Sequence, residues 1–522
     1  MTPDPDQRAP VVLQDLLIGM IESSDPLTVT ITGLHHDSRL IKPGDVFIAL
    51  NGLHAHGLQF AADALQLGAS AILYDPQGAG PLEGQVAFSV PFIPIPKLDE
   101  RLGLIADRFF GHPSRAMRVI GITGTNGKTS CSHFIAQALG MADRAAVIGT
   151  LGWGVPGALE STRHTTPDAI EVHRILDQLR HEGTHVVAME ASSHGLVQGR
   201  LGGVCFQGAL FTNWSRDHLD YHQTMAAYLE AKLRLLDAEG LGFVVFNAEE
   251  AFAKAIMQRA PAQAQRIGFC SEFYEAGLEG PLLRFGGIEQ GPDGLRFKLQ
   301  FGAEAGWLSP QLYGDFNVEN VAATVAVLLA LGLPFDVALS RASLLKAVPG
   351  RMENLKGRGR HVVIDYAHTP DALGSVLSSM KRHCEGRLWV VFGCGGDRDQ
   401  GKRPQMGRVA EQWADAIVLT DDNPRSEEGG DIIRDIAAGM HAAPLKVIRD
   451  RRQAIYAALD LARDGDLVLV AGKGDEGTQD IGGMKTPFSD RMVILDWMAQ
   501  EAPPGVSPSM INNKRRSQGS GF

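Results

Sequence analysis

An α/β fold in three successive domains is the prediction for this chain, and three observations carry it. The chain has 522 residues, more than one hydrophobic core serves, and divides into three blocks without an internal repeat. The stretch "RVIGITGTNGKTSCSHFIAQAL", Arg118 to Leu139, passes from an apolar strand through a glycine-rich bend into a helix. Further on, the apolar runs "HVVIDYA", "RLWVVFGCGG", "AIVLTDDNP" and "DLVLVAGKG" alternate with helix-length segments, the pattern of a parallel sheet with crossover helices.

Taken in order, residues 1–98 read as a smaller α/β domain, with strands in "DVFIALNG" and "SAILYD" and a helix around Phe60–Leu67. The segment "VPFIPIPKL" reads as an extended, proline-rich connection. Residues 99–346 form the central block, with strands "THVVAMEA" and "GALFTNWS" and helices in "AAYLEAKLRLL" and "NVENVAATVAVLLALG". Residues 347–502 hold the alternating third block, and the polar, Pro/Gly/Ser-rich 503–522 reads as a disordered tail. In open parallel sheets function collects where strands end and loops begin, and the informative motifs all follow strands.

Composition excludes several classes. Apolar residues make up 44% and charged residues 21%, as in ordinary globular proteins, and the net charge of −11 disfavours unspecific binding to nucleic acid or anionic membranes. Cys131, Cys205, Cys270, Cys384 and Cys394 are odd in number, scattered and without C-x-x-C spacing, which fits reduced, buried thiols. The opening MTPDPDQRAP has no secretion-signal pattern, and no apolar run approaches the roughly 18 residues of a membrane span. A cytoplasmic location is expected.

The loop Gly124-Thr125-Asn126-Gly127-Lys128-Thr129 has the makings of a phosphate cradle. Glycines let backbone N–H groups approach phosphate oxygens, and the helix N-terminus adds its positive dipole end. Lys128 would meet the β/γ-phosphates and the Thr129 hydroxyl a Mg²⁺ ion. The spacing departs from the usual G-x-x-x-x-G-K-[ST], since Ile122 stands where the first glycine belongs. Glu190 ends the strand "HVVAME", a place for a carboxylate serving the nucleotide's metal, although strand-end glutamates are usually just solvated. "RDHLDYH" crowds Arg216, Asp217, His218, Asp220 and His222 together, which suits metal or phosphate chemistry and also a polar surface turn. Lys232 is by default a solvated helix lysine. "GGDRDQGKRP" and "TDDNPR" place guanidiniums directly after buried strands, where they can grip planar carboxylates. "GKGDEG" matches G-x-G-x-x-G but opens no helix, so a dinucleotide site is rejected.

With these motifs assembled, the chain resembles the Mur ligase family over nearly its whole length, and G-T-N-G-K-T is that family's form of the phosphate loop. The resemblance implies a central P-loop ATP-binding parallel-sheet domain, a C-terminal Rossmann-like domain and an N-terminal uridine-nucleotide domain. It implies an ATP-dependent amide ligase that adds meso-diaminopimelate to UDP-N-acetylmuramoyl-L-alanyl-D-glutamate in peptidoglycan precursor synthesis. ATP contacts are implied for Gly124, Thr125, Asn126, Gly127, Lys128, Thr129, Asn317, Arg351 and Asp365. For the UDP-muramoyl dipeptide, Ser38 in "DSR" is implied to contact the uridine nucleotide, and Thr165 and Thr166 in "HTTP" with Ser192, Gln198 and Arg200 in "MEASSHGLVQGR" are implied to hold the muramoyl dipeptide. Arg398, Asp422, Asn423, Pro424, Arg425, Gly472 and Glu476 are implied to take the diaminopimelate. Lys128, Glu190, His218 and Lys232 are the implied catalytic set. Thr129, Glu190, His218 and a carbamylated Lys232 are the implied Mg²⁺ ligands. The implied partners are these small molecules, with a monomer, no nucleic acid and no membrane insertion. Two positions depart from the family: His164 stands where Asn is usual, and Asp475 where His is usual. The alternatives are the lysine-adding relative (opposed by "DNPR"), a folylpolyglutamate synthetase (opposed by the "DSR" domain), and a nucleotide-binding module without ligase activity. Retention of Lys128, Glu190, His218 and Lys232 together opposes the last.

Overall fold

The computed structural model describes residues 9–21, 27–52, 55–80, 90–140, 143–275, 277–278, 280–291 and 293–500. The tail expected at 503–522 lies outside them. The chain forms two compact units, Met1–Val348 and Pro349–Phe522.

At the start of the first unit, Leu34–His35, Val46–Ala49, Ala71–Tyr74 and Phe92–Pro94 pair in parallel into a four-stranded sheet. The segment expected as a connection is therefore extended, but it is a strand of this sheet, with Phe92 stacked on Tyr74 at 4.2 Å between ring centroids. The helix that follows, Leu98–Phe109, repeats its apolar residues at Leu98, Leu102, Ile105 and Phe109. That spacing lays one face against Leu13, Val46, Ile48 and Leu73 in the N-terminal core.

The rest of the first unit is built on a ten-stranded sheet. Its middle is parallel, running through Gln265–Ser271, Phe243–Asn247, Gly208–Phe211, Arg118–Thr123, Val186–Glu190 and Ala145–Gly149. Antiparallel strands extend both edges: Gly294–Phe301 and Glu304–Leu308 at one, Gly152–Gly154 at the other. The sheet is thus mixed, with a parallel centre. Successive strand residues serve opposite cores, because side chains alternate across a pleated sheet. Ile120, Ile122, Val186 and Ala188 meet the helices Lys128–Leu139 and Phe316–Ala330. Val119, Val187 and Met189 meet the helix Ala169–His181 on the other face. Every parallel strand in this centre points its C-terminal end to the same edge, which is where the phosphate loop sits.

The second unit holds a six-stranded sheet in the order Glu353–Gly357, Arg360–Asp365, Leu467–Ala471, Leu388–Phe392, Ala416–Leu419, Lys446–Val447. All neighbours are parallel except the opening hairpin. Beneath it Arg451 and Asp490 form a wholly buried ion pair, Nε–Oδ1 and Nη2–Oδ2 both 2.7 Å, with Nη2 also donating to the Ala471 carbonyl at 2.9 Å. Removing one partner strands a buried charge, a loss of about 3–5 kcal/mol. Asp490→Ala is therefore expected to destabilise the second unit by that amount in urea unfolding, while the first unit's transition stays in place. All five cysteines are free thiols. Among the described residues no helix is long and apolar enough to cross a membrane.

Candidate active site

The strand Arg118–Thr123 runs into the loop, and the helix Lys128–Leu139 leaves it. Two glycines are required there by geometry. Gly124 has φ of 148° and Gly127 has φ of 83°. A Cβ at Gly124 would come within 1.9 Å of Thr212 Oγ1, and one at Gly127 within 2.5 Å of Asn320 Oδ1. The loop is braced from behind: Asn126 N–H donates to Asn213 Oδ1 at 2.8 Å, and Thr212 Oγ1 donates to the Asn126 carbonyl at 2.6 Å. The Thr125 hydroxyl lies 3.2 Å from the Tyr228 hydroxyl. Lys128 Nζ folds back on the Gly124 and Thr125 carbonyls, both at 2.9 Å. Thr129 is buried in the first helical turn. Asn317, also buried, accepts from Asn320 Nδ2 at 3.0 Å and so joins the bracing of Gly127.

Lys232 departs most from the default reading. It is 2% exposed, its Nζ donates to the Gly124 carbonyl at 2.7 Å, and it lies 4.3 Å from the Tyr228 ring centroid. Lys128 and Lys232 therefore share one carbonyl oxygen. Burial first, and then the charge of Lys128, push the Lys232 amine well below the ordinary lysine range.

Glu190 is likewise buried, not solvated. Its carboxylate accepts the Thr150 amide at 2.9 Å and the Thr150 hydroxyl at 3.2 Å. Around it several of the residues expected to hold the dipeptide converge. Thr165 Oγ1 lies 3.1 Å from Thr150 Oγ1, and Thr166 Oγ1 donates to the Glu190 carbonyl at 2.8 Å. The Ser192 amide donates to Thr166 Oγ1 at 3.0 Å, and Arg200 Nη1 donates to the Thr166 carbonyl at 2.8 Å while its Nη2 meets Gln198 Oε1 at 2.6 Å. His164 is exposed, and Ser38 opens a short turn capped by Asp37 in the N-terminal layer. His218 adopts φ of 51°, pairs with Asp217 at 3.3 Å, and its ring lies 4.8 Å from that of His194 and 6.1 Å from that of Tyr228.

In the second unit the "DNPR" loop and the "GGDRD" loop are joined. The Gly396 amide donates to the Asn423 carbonyl at 2.9 Å, and Arg425 Nη1 donates to the Gly396 carbonyl at 2.5 Å. A Cβ at Gly396 would meet the Pro424 carbonyl at 1.9 Å. Ser426 donates to Asp397, and buried Arg403 grips Glu427 at 2.8 and 2.9 Å. Asn423 links to Glu476 at 2.8 Å and to Lys473 at 3.0 Å, and Gly472 packs on Asp422. Asp422 is pushed upward by burial, with Arg451 and Lys473 opposing. Arg398 is exposed beside them. Non-glycine residues at Asp397 (φ 54°) and Arg425 (φ 53°) hold left-handed backbone, a strain that persists where surrounding contacts enforce it. Asp365 is buried and accepts the Met352 and Ala367 amides at 2.9 and 2.8 Å. Arg351 lies over the Tyr366 ring and pairs with Asp475 at 3.0 Å.

Sequence reasoning missed Thr150, Asn213, Asn320, Lys473 and Arg403. Lys473 and Arg403 lie within the quoted motifs "GKGDEG" and "GGDRDQGKRP", but the distant partners that give each of the five its place, such as Asn423 for Lys473 and Glu427 for Arg403, leave no local pattern.

A strand, a braced glycine loop and a helix opened by lysine and threonine, at the C-terminal edge of a parallel sheet, define a phosphate-loop nucleotide-binding protein. Three family models match the chain: "Mur ligase family, catalytic domain" over residues 30–110, "Mur ligase middle domain" over 122–328 and "Mur ligase, glutamate ligase domain" over 350–474. A UDP-N-acetylmuramoyl-L-alanyl-D-glutamate–2,6-diaminopimelate ligase of Alkalilimnicola ehrlichii is 44% identical over 497 residues, covering 94% of this chain and 99% of that relative. The chain belongs to the Mur ligase family. A solved structure of an enzyme of the same name superposes with a TM-score of 0.69 at 34% identity, over 94% of this chain and 99% of the other. A MurF ligase from Thermotoga maritima, solved in complex with ADP, shares the fold at a TM-score of 0.60 and 18% identity, over 84% and 93% of the two chains.

Proposed function

We propose that this chain is an ADP-forming ligase that joins meso-2,6-diaminopimelate to UDP-N-acetylmuramoyl-L-alanyl-D-glutamate in peptidoglycan precursor synthesis. The observation that carries the reading is the braced phosphate loop with Lys128 and Lys232 on the Gly124 carbonyl, in a chain so similar to ligases of that name.

In the proposed reaction the D-glutamate γ-carboxylate attacks the γ-phosphorus of ATP and ADP leaves. The amine of diaminopimelate then adds to the acyl phosphate, and the tetrahedral intermediate expels phosphate as the amide forms. Lys128 and the loop amides neutralise the phosphoryl group as charge shifts toward the leaving oxygen. Gly124 to Thr129 and Asn317 hold the nucleotide within the first unit, and Arg351 and Asp365 are assigned to it in the second. Thr165, Thr166, Ser192, Gln198 and Arg200 hold the dipeptide, with Ser38 on the uridine nucleotide. Arg398, Asp422, Asn423, Pro424, Arg425, Gly472 and Glu476 hold the amino acid. The division at residues 98/99 and 346/347, a monomeric state and a cytoplasmic location complete the reading.

The residues present suit Mg²⁺. Among the described residues no three His, Cys, Asp or Glu side chains form a cage. Mg²⁺ needs none, since it takes one or two carboxylates beside waters and phosphate oxygens. Thr129, Glu190 and His218 are the proposed holders, with Lys232 as its carbamate. When bound, the ion would withdraw charge from the phosphate oxygens. A carbamate on Lys232 would also set a negative charge near the Lys128 ammonium, with which Lys232 shares the Gly124 carbonyl.

Diaminopimelate differs from lysine by one carboxylate, and Arg425 is the proposed selector. A charge-assisted contact there is worth about 1.5–3 kcal/mol, and lysine would forfeit it while leaving the far ammonium, which both amino acids carry, without a neighbouring carboxylate to offset it before the guanidinium. Discrimination of roughly a thousandfold is expected. The check is phosphate release with UDP-N-acetylmuramoyl-dipeptide and each amino acid. Wild type should favour diaminopimelate in kcat/KM, and Arg425→Ala should lose most of that preference. Equal use of lysine by wild type would defeat the functional reading, and an unchanged preference in the variant would defeat the role of Arg425.

A further inference from the structure

We propose that Asp475 latches Arg351, its carboxylate engaging the guanidinium that an ATP phosphate would otherwise take, so that nucleotide binding competes with an ion pair internal to the second unit. The inference rests on the reading that Arg351 binds the nucleotide. Asp475 is one of the two positions where this chain departs from its family's usual residue, and nothing in the proposed reaction uses it.

The pair is built, not incidental. Arg351 Nη1 donates to Asp475 Oδ1 at 3.0 Å and to the Gly350 carbonyl at 3.1 Å, and Cζ sits 4.3 Å from the Tyr366 ring centroid. The side chains are 17% and 26% exposed. The two backbone segments are in contact. A Cβ at Gly350 would fall 2.2 Å from the Asp475 nitrogen, and one at Gly474 would fall 2.8 Å from the Gly350 oxygen and 3.0 Å from Arg351 Nη1. With both backbones fixed so closely, the carboxylate is held at the guanidinium at little entropic cost.

A guanidinium binds carboxylate and phosphate through the same kind of donor, and the Nη1 donor engaged by Asp475 is the one for which a phosphate would compete. Burial pushes the Asp475 carboxyl upward and Arg351 draws it back down, as expected for a desolvated acid held by its cation. The surroundings add to the effect: Asp475, Glu476 and Asp422 all act on Tyr366 beneath the guanidinium. A phosphate arriving there meets several carboxylates, and neutralising Asp475 removes the one bonded to Arg351. Loss of a native ion pair is thus expected to tighten ligand binding, the opposite of what general damage to the fold does.

The test uses the full-length enzyme. KM for ATP and Kd for a non-hydrolysable ATP analogue are measured for wild type, Asp475→Asn, Asp475→Ser, Arg351→Ala and Arg351→Ala/Asp475→Asn, each with its melting temperature. Both Asp475 variants should lower KM and Kd by about three- to tenfold, since the competent fraction of Arg351 rises. In the Arg351→Ala background the Asp475 substitution should change neither constant. If Arg351→Ala weakens nucleotide binding while the Asp475 variants leave it unchanged or weaken it, Asp475 is a support for Arg351 and the latch is wrong. If Arg351→Ala itself leaves the nucleotide constants untouched, Arg351 is not in the nucleotide site and the latch falls with that assignment.

Discussion

Lys128→Ala is expected to lower kcat for ligation by roughly 10³-fold or more while the protein stays folded. Lys128 opens its helix, and its Nζ sits on the Gly124 and Thr125 carbonyls at the mouth of the loop. In the proposed reaction it would leave those carbonyls for a phosphate oxygen. A factor of 10³ corresponds to about 4 kcal/mol of transition-state stabilisation, a plausible share for one cation aimed at a transferring phosphoryl group. Alanine is the best helix former, so the first turn of Lys128–Leu139 should persist. Steady-state phosphate release, with circular dichroism and melting temperature as controls for folding, decides the matter. Near-normal turnover by a folded variant would remove Lys128 from the chemistry.

Lys232→Ala is expected to be nearly inactive as well, for a different reason. The wild-type amine is buried, shares the Gly124 carbonyl with Lys128, and is pushed toward its neutral form by burial and by that neighbour. A neutral amine is the form that adds CO₂, giving a carbamate and releasing a proton. In ¹³C-bicarbonate, wild type should show a carbamate carbon signal by NMR that Lys232→Ala lacks. High bicarbonate should not restore the variant, whereas a short-chain carboxylic acid, small enough for the space left by the side chain, should restore part of its activity. An unmodified Lys232 in a fully active preparation would refute the carbamate. The buried lysine would then serve only to hold Gly124.

The residues that were legible in the sequence share a property: their signals are local. Gly124, Gly127, Lys128 and Thr129 announce themselves within six positions, because a strand–turn–helix junction that admits phosphate needs particular φ values and a particular helix start. The four apolar runs of the third block became the parallel strands Arg360–Asp365, Leu388–Phe392, Ala416–Leu419 and Leu467–Ala471, since strands buried on both faces read as continuous hydrophobic runs. By contrast "VPFIPIPKL" was misread as a connection. A segment with three prolines, of which only Pro94 lies within the strand Phe92–Pro94, looks like a linker until its neighbour Ala71–Tyr74 supplies the pairing.

The sequence by itself thus determined the α/β class, the phosphate loop and the placement of charged motifs after strands. All of these follow from backbone preferences acting over a few residues. The tertiary structure alone decided which charges are buried and with what partner. Lys232 reads as solvated on its own helix, yet it is carried to Gly124 across 108 positions. Glu190 reads as an ordinary strand end until Thr150, 40 positions away, binds its carboxylate. Arg351 and Asp475 lie 124 positions apart and pair only because two glycine-bearing segments touch. Electrostatic consequence depends on desolvation and distance, and both are properties of the packed chain.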